Sequence, residues 1–268
     1  MKSKTRSKRP QFLAVARRFV KDHFKLFRKK LKALRRSVKL ARRSLWGEVE
    51  NLHYRRNLKR RYAEAHRGVA IGDAAYDRYV YEQLEETLRK KKLLGERRLG
   101  VIELIDMLGS KLDLKGQRVL CVGCRNTDEM RYFRKRGAGE VVGVDLFSDH
   151  PDITLMDMHD LKFPEDRFNV VYSRHSFEHA YDKAKAAREF VRVLKDGGVV
   201  VIEVPGRYKG GGDYNWFEEI DDVTDVFRPE LAEFLWREYS KKEDNPHKVD
   251  IIRVMFRIDK AAKATAAA

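Results

Sequence analysis

The chain reads as an α/β protein with a mostly parallel sheet, preceded by a basic helical region. Three observations predict this. Between Gln117 and Pro205 short apolar runs alternate with helical patterns, as parallel strands joined by crossover helices require. The first run closes on Gly123 and the second on Asp145, 22 residues later. The formal charge of +17 is lodged at one end: residues 1–70 hold 24 Lys and Arg against 4 acids, and the other 198 hold 34 against 37.

At 268 residues with 43% apolar content the chain can bury one proper core, so wholesale disorder is excluded even though 37% of residues are charged. Two cysteines, Cys121 and Cys124, cannot make a disulfide framework. The longest apolar stretches, Gly198–Val204 and Gln11–Val20, fall far short of the roughly 18 residues of a membrane span. The N-terminus lacks the compact apolar stretch of a secretory leader. Residues 1–21 are basic and free of acid, as in an organellar transit segment, but the regular pattern behind them argues for a retained element. The expected place is the cytoplasm, either in solution or peripheral at the inner face of the membrane.

Within residues 1–70, Val20, Phe24, Phe27, Leu31, Leu34, Val38, Ala41 and Leu45 step by fours and threes, the seam of one long amphipathic helix. Its flanks are Lys and Arg, so parallel self-pairing sets like charges together. Three readings of this arm stay open: an anionic membrane surface or nucleic acid bound through residues 1–50, or the seam packed on the chain's own catalytic domain. Residues 71–116 form a helical lead-in, with helices over Ala74–Lys92 and Glu96–Gly109 that cover one side of the sheet.

The sheet segment, 117–260, supplies strands at Arg118–Gly123, Val141–Asp145, Ile153–Met156, Phe168–Ser173 and Gly198–Val204, with helices at Asp128–Arg136 and Lys183–Leu194. Ligands collect where such strands end. The first strand ends in Gly123-Cys124-Arg125-Asn126-Thr127, where Gly123 permits close backbone approach and the next helix offers unpaired amides. Asp145 stands where a carboxylate accepts from both ribose hydroxyls of a nucleoside cofactor, a geometry nicotinamide enzymes share. Beyond the fifth strand, Gly206–Trp216 with Gly210-Gly211-Gly212 reads as a flap over the cleft. Pro229–Tyr239 reads as a further helix, Val249–Ile258 as an edge strand, and 261–268 as a disordered tail.

The runs Asp157 to Pro164, Phe168-Asn169-Val170-Val171-Tyr172-Ser173, Glu178-His179 and Arg192-Val193-Leu194-Lys195-Asp196-Gly197-Gly198 resemble, in order and spacing, the consecutive motifs of class I S-adenosylmethionine-dependent methyltransferases of the small-molecule type. The resemblance spans about 117–205. It implies a Rossmann-like seven-stranded sheet with an antiparallel C-terminal edge and S-adenosyl-L-methionine as cofactor. It also implies that the loop Gly123, Cys124, Arg125, Asn126 holds the methionine portion, that Asp145 takes the ribose with Leu146 against the adenine, and that Asp157 and Met158 meet the ring's edge. Ser173 and His175 would line the sulfonium end. The chain departs from the usual Gly-x-Gly-x-Gly loop: Cys121 stands at the acidic place, and Arg125 and Thr127 replace two glycines. Asn tolerates the left-handed region, which would set the turn at Asn126, while Arg125 would pair the methionine carboxylate.

Cys121 and Cys124 make a C-x-x-C, but without further ligands at a buried strand end they suit packing better than zinc or redox chemistry. No metal site is expected, and His179 at a helix start reads as a cap. Methyl transfer to oxygen needs nucleophile, carbon and sulfur in line. His175 is the first candidate for the base that takes the hydroxyl proton and Glu178 the second, against a plain structural role at the same helix start. The function implied is O-methylation of a small molecule, a sugar or a lipid-linked glycan near a membrane. Alternatives are ribose methylation of RNA through the basic arm and a non-catalytic scaffold. The Asn/Asp-Pro-Pro-aromatic motif of amino-base methyltransferases is absent after the fourth strand, and no cysteine follows for a cytosine-C5 mechanism.

Overall fold

The computed structural model describes residues 32, 49, 52–64, 74–90, 98–245 and 249–262. The chain divides into two compact units, Met1–Arg56 and Asn57–Ala268. In the first, the described residues 32, 49 and 52–56 are helical. The seam from Val20 to Leu45 lies outside the described residues, as does the tail beyond 262. The division falls at 56/57, whereas the sequence set its boundary at 70/71.

The second unit begins with helix α1 (57–64), α2 (Ala74–Lys90) and α3 (Arg98–Lys111). There follow β1 (Arg118–Val122), α4 (Asp128–Lys135), β2 (Glu140–Asp145), β3 (Ile153–Leu155), β4 (Phe168–Arg174), α5 (Lys183–Val193), β5 (Leu194–Gly206), α6 (Ile220–Thr224), β6 (Leu231–Ser240) and β7 (Asp250–Ile258). They form one seven-stranded sheet in the order β3-β2-β1-β4-β5-β7-β6. The first five strands are parallel, and β7 runs antiparallel between β5 and β6.

Alternation along the strands explains the layers. Val119 and Cys121 of β1, Val170 and Tyr172 of β4, and Val199 and Val201 of β5 face one side, where Val101, Leu104, Ile105 and Leu108 of α3 cover them. Their neighbours Leu120, Val122, Val171, Val200 and Ile202 face the other, packed under Ala186, Ala187, Phe190 and Val193 of α5. Asp182 caps α5 by accepting from the Lys185 amide at 2.9 Å. Arg61 of α1 donates to the carbonyls of Ser148, His150 and Ile153 at 2.7, 2.7 and 3.0 Å, and this ties α1 to the segment beyond β2.

One element differs from the sequence reading: Pro229–Tyr239 is not a helix. Its core is β6, which pairs with β7 over Leu231–Ser240 through two register shifts. Local periodicity misleads here because Phe234, Leu235, Trp236 and Tyr239 mimic a helical stripe. Pairing with a strand some 20 residues later decides the conformation, helped by Arg257–Glu233 across the ladder at 3.0 Å.

Candidate active site

The ends of β1, β2 and β4 open onto a two-lobed cleft. Gly123, Arg125, His175 and His179 border both.

The first lobe gathers Asp145, Leu146, Asp157 and Met158 with Tyr79, Gln83 and Thr87 of α2. Asp145, buried at the tip of β2, accepts from the amides of Arg125 and Phe147, both at 2.8 Å. Burial pushes its carboxyl up, and the Arg125 cation with those two amides pulls against it. Asp157 accepts from the His159 amide at 2.9 Å and meets His159 Nδ1 at 2.5 Å, while the Tyr76 hydroxyl donates to its other oxygen. Burial alone would raise the Asp157 carboxyl, but these bonds outweigh it and hold it below its usual range.

The second lobe is walled by Cys124, Arg125, Asn126, Asp128, Glu129 and Arg174. The turn beneath it is made at Gly123, with φ +72°; Asn126 is not left-handed. Asn126 instead accepts from the Asp128 amide at 3.0 Å and shapes the entry to α4. A Cβ on Gly123 would sit 2.2 Å from that of Ser176, so glycine is required by both conformation and space. Cys121 is sealed in the core and Cys124 lines the lobe; both thiols are free, and burial raises them.

His175 stands at the junction of the lobes with φ +49°. Its Nε2 lies 3.1 Å from Glu203 Oε1, and Arg174 Nε approaches the same oxygen at 2.7 Å. Both approach obliquely, so Oε1 lies close to each without a directed hydrogen bond. Burial would raise the Glu203 carboxyl, yet His175, Arg174 and Arg253 together hold it well below the usual carboxylate range. Glu178 does not border the cleft: it is buried behind His175, with Oε1 3.8 Å from His175 Nδ1, beyond hydrogen-bond reach.

Ser173 is placed away from the cleft as well. Its hydroxyl is fully buried and bonded to Ser176 Oγ at 2.6 Å, and Ser176 in turn donates to the Val122 carbonyl at 2.9 Å. Strand alternation points Ser173 inward, and Ser176 is the serine that reaches the cleft.

The Gly206–Trp216 loop is pinned rather than loose. Tyr214 and Asn215 amides donate to the Glu178 carbonyl at 3.0 Å each, and Gln83 Nε2 donates to the Gly212 carbonyl at 2.6 Å. Glu178, His179 and Asp213 bring possible ligand atoms within 4.8 Å of one another. His179 Nδ1 there lies 2.9 Å from both the Gly212 carbonyl and Asp213 Oδ1, which makes the cluster an anchor for this loop.

Sequence reasoning missed Tyr79, Gln83, Arg174 and Glu203. Only Glu203 left a signal, as the one acid inside the apolar run 199–204. The residues fit an S-adenosylmethionine-type donor: an ordered carboxylate closes β2, and Arg125 Nε is buried without an acceptor.

Residues 93–240 match the family model described as "Methyltransferase domain". Phosphoethanolamine N-methyltransferase 3 of Arabidopsis thaliana is 33% identical over 132 residues, covering 43% of this chain and 27% of its own length. The chloroplastic tocopherol O-methyltransferase of the same plant is 24% identical over 174 residues, covering 59% and 45%. The chain thus spans about a quarter to a half of these relatives. Among solved structures, the Burkholderia thailandensis 1,6-didemethyltoxoflavin-N1-methyltransferase, with its substrate and S-adenosylhomocysteine bound, superposes with a TM-score of 0.55 at 14% identity, over 72% of this chain and 93% of that one. The family match over more than half the chain, on the strand order and cleft described above, establishes that the chain belongs to the class I S-adenosylmethionine-dependent methyltransferase family.

Proposed function

We propose that the domain transfers a methyl group from S-adenosyl-L-methionine to an oxygen of a small molecule. The observation that carries this is the convergence of Gly123, Asp145, Asp157 and His175 on one cleft at the strand ends. The relatives that methylate phosphoethanolamine or tocopherol support a small acceptor.

When bound, the cofactor supplies an electrophilic methyl group on a sulfonium. Asp145, already ordered by two amides, would hold the ribose hydroxyls, and Leu146 and Met158 would hold the base. Tyr79 and Gln83 of α2, with the pinned 206–216 loop, shield the lobe from water and fix the approach of the acceptor. His175, with Nε2 against Glu203, takes the acceptor's hydroxyl proton at Nδ1, and the buried Glu203 carboxylate stabilises the imidazolium that results.

Calorimetry with S-adenosylmethionine tests the reading. Saturable heat for the full chain, lost in Asp145→Ala, is expected; no heat from the full chain sinks it. A panel of acceptors then separates oxygen from nitrogen transfer, with phosphoethanolamine, tocopherol and simple sugars as its arms. The sugar or lipid-linked reading includes a membrane location through the basic residues 1–50, for which flotation with anionic vesicles is the measurement. Among the described residues no helix is long and apolar enough to cross a membrane.

A further inference from the structure

Where the resemblance gives an acidic residue ahead of the glycine loop, β1 carries Cys121. Glu129 stands in the first turn of α4. It is 9% exposed and borders the second lobe. Its charge raises the Cys121 thiol and the Tyr172 hydroxyl, which are register partners on β1 and β4. A carboxyl drawn largely out of water is costly to ionise unless a donor meets it, and a ligand's ammonium would be such a donor. The same lobe holds the mirror-image deficit: Arg125 Nε is buried with no acceptor.

A zwitterionic head, ammonium beside carboxylate, satisfies both groups at once. We infer that Glu129 receives the α-ammonium of the methionine portion of the donor while Arg125 receives its carboxylate, the acid having moved from β1 to α4. This rests on the donor reading above and adds a residue that reading does not use. Burial raises the Glu129 carboxyl to about 8, against the Arg174 cation. The groups that face it are Asp128 on its own helix, Cys121 on β1, Asp145 on β2, Tyr172 and Arg174 on β4 and Glu203 on β5, with His175 and His179 bordering the lobe. An arriving ammonium favours the ionised form, so binding near pH 7 expels a proton.

The test is calorimetry of S-adenosylhomocysteine and of 5′-methylthioadenosine, which lacks the amino-acid head, at pH 7 in two buffers of different ionisation enthalpy. The wild-type chain should release close to one proton with S-adenosylhomocysteine and none with methylthioadenosine. Glu129→Gln should weaken the former about 10–100-fold, as loss of a charged hydrogen bond does, abolish the proton release, and leave methylthioadenosine unchanged. Equal affinity and equal proton release in Glu129→Gln overturn the inference alone. No binding of either nucleoside overturns the donor reading with it.

Discussion

Glu203 and Arg253 face each other across the antiparallel junction of β5 and β7, with Nε 2.7 Å from Oε2 in a fully buried setting. Arg253 also grips Glu103 of α3 at 3.2 Å through both terminal nitrogens. The pair therefore links a helix on one face of the sheet to the carboxylate beside His175.

Removing Arg253 would strand a buried carboxylate with only oblique partners. Arg253→Met should lower unfolding free energy by about 3–5 kcal/mol, read by urea denaturation at pH 7. Because the folded Glu203 carboxyl is held below its ordinary value, its stabilisation is present above the usual glutamate range and fades as the pH falls below it. The acid limb of the stability curve should therefore be shallower in Glu203→Gln.

Glu129 predicts the opposite slope. Its carboxyl is raised from 4.5 to about 8 on folding, so the folded chain holds the extra proton across that window, and stability falls as the pH rises through it. Glu129→Gln should flatten this decline and gain on the order of a few kcal/mol at pH 9. Thermal melts from pH 5 to pH 9 without ligand would show it; identical slopes for the two chains would count against the burial of an ionisable group there.

At Gly123 the added methyl of Gly123→Ala meets Ser176 and an unfavourable φ together. The expected loss is about 2–4 kcal/mol with weakened S-adenosylhomocysteine binding. Gly123→Ala combined with Ser176→Gly should recover the part due to the clash and leave the part due to φ, a separation that a double-mutant cycle measures.

His175→Ala should slow methyl transfer about 10²–10⁴-fold with the acceptor that turns over fastest in the panel, while S-adenosylhomocysteine affinity stays within about threefold, since Asp145 and the Gly123 loop keep their places. A matching fall in both would assign His175 to cofactor binding instead. Glu178→Gln, behind it and outside the cleft, should move the rate far less.

The strand-by-strand alternation was legible because apolar periods of two and of 3.6 are written locally, and the ends of those strands carried Gly123, Asp145 and Asp157 to one edge. Ser173 was misplaced by a small angular fact: adjacent positions on a strand face opposite ways, and the chain turns outward only at His175 and Ser176. β6 was misread because its aromatic spacing suits either element, and its true partner β7 lies beyond any local window.

The sequence by itself determined the fold class, the placing of Asp145 and Asp157 at the strand ends and the concentration of charge in the first 70 residues, because each follows from order and spacing along the chain. Tertiary structure alone decided that Glu203 and Arg253 meet, that α2 lines the first lobe, and that a carboxylate from α4 borders the second. Those depend on sheet register and helix packing, which join residues far apart in the chain and bury charges whose partners no local pattern records.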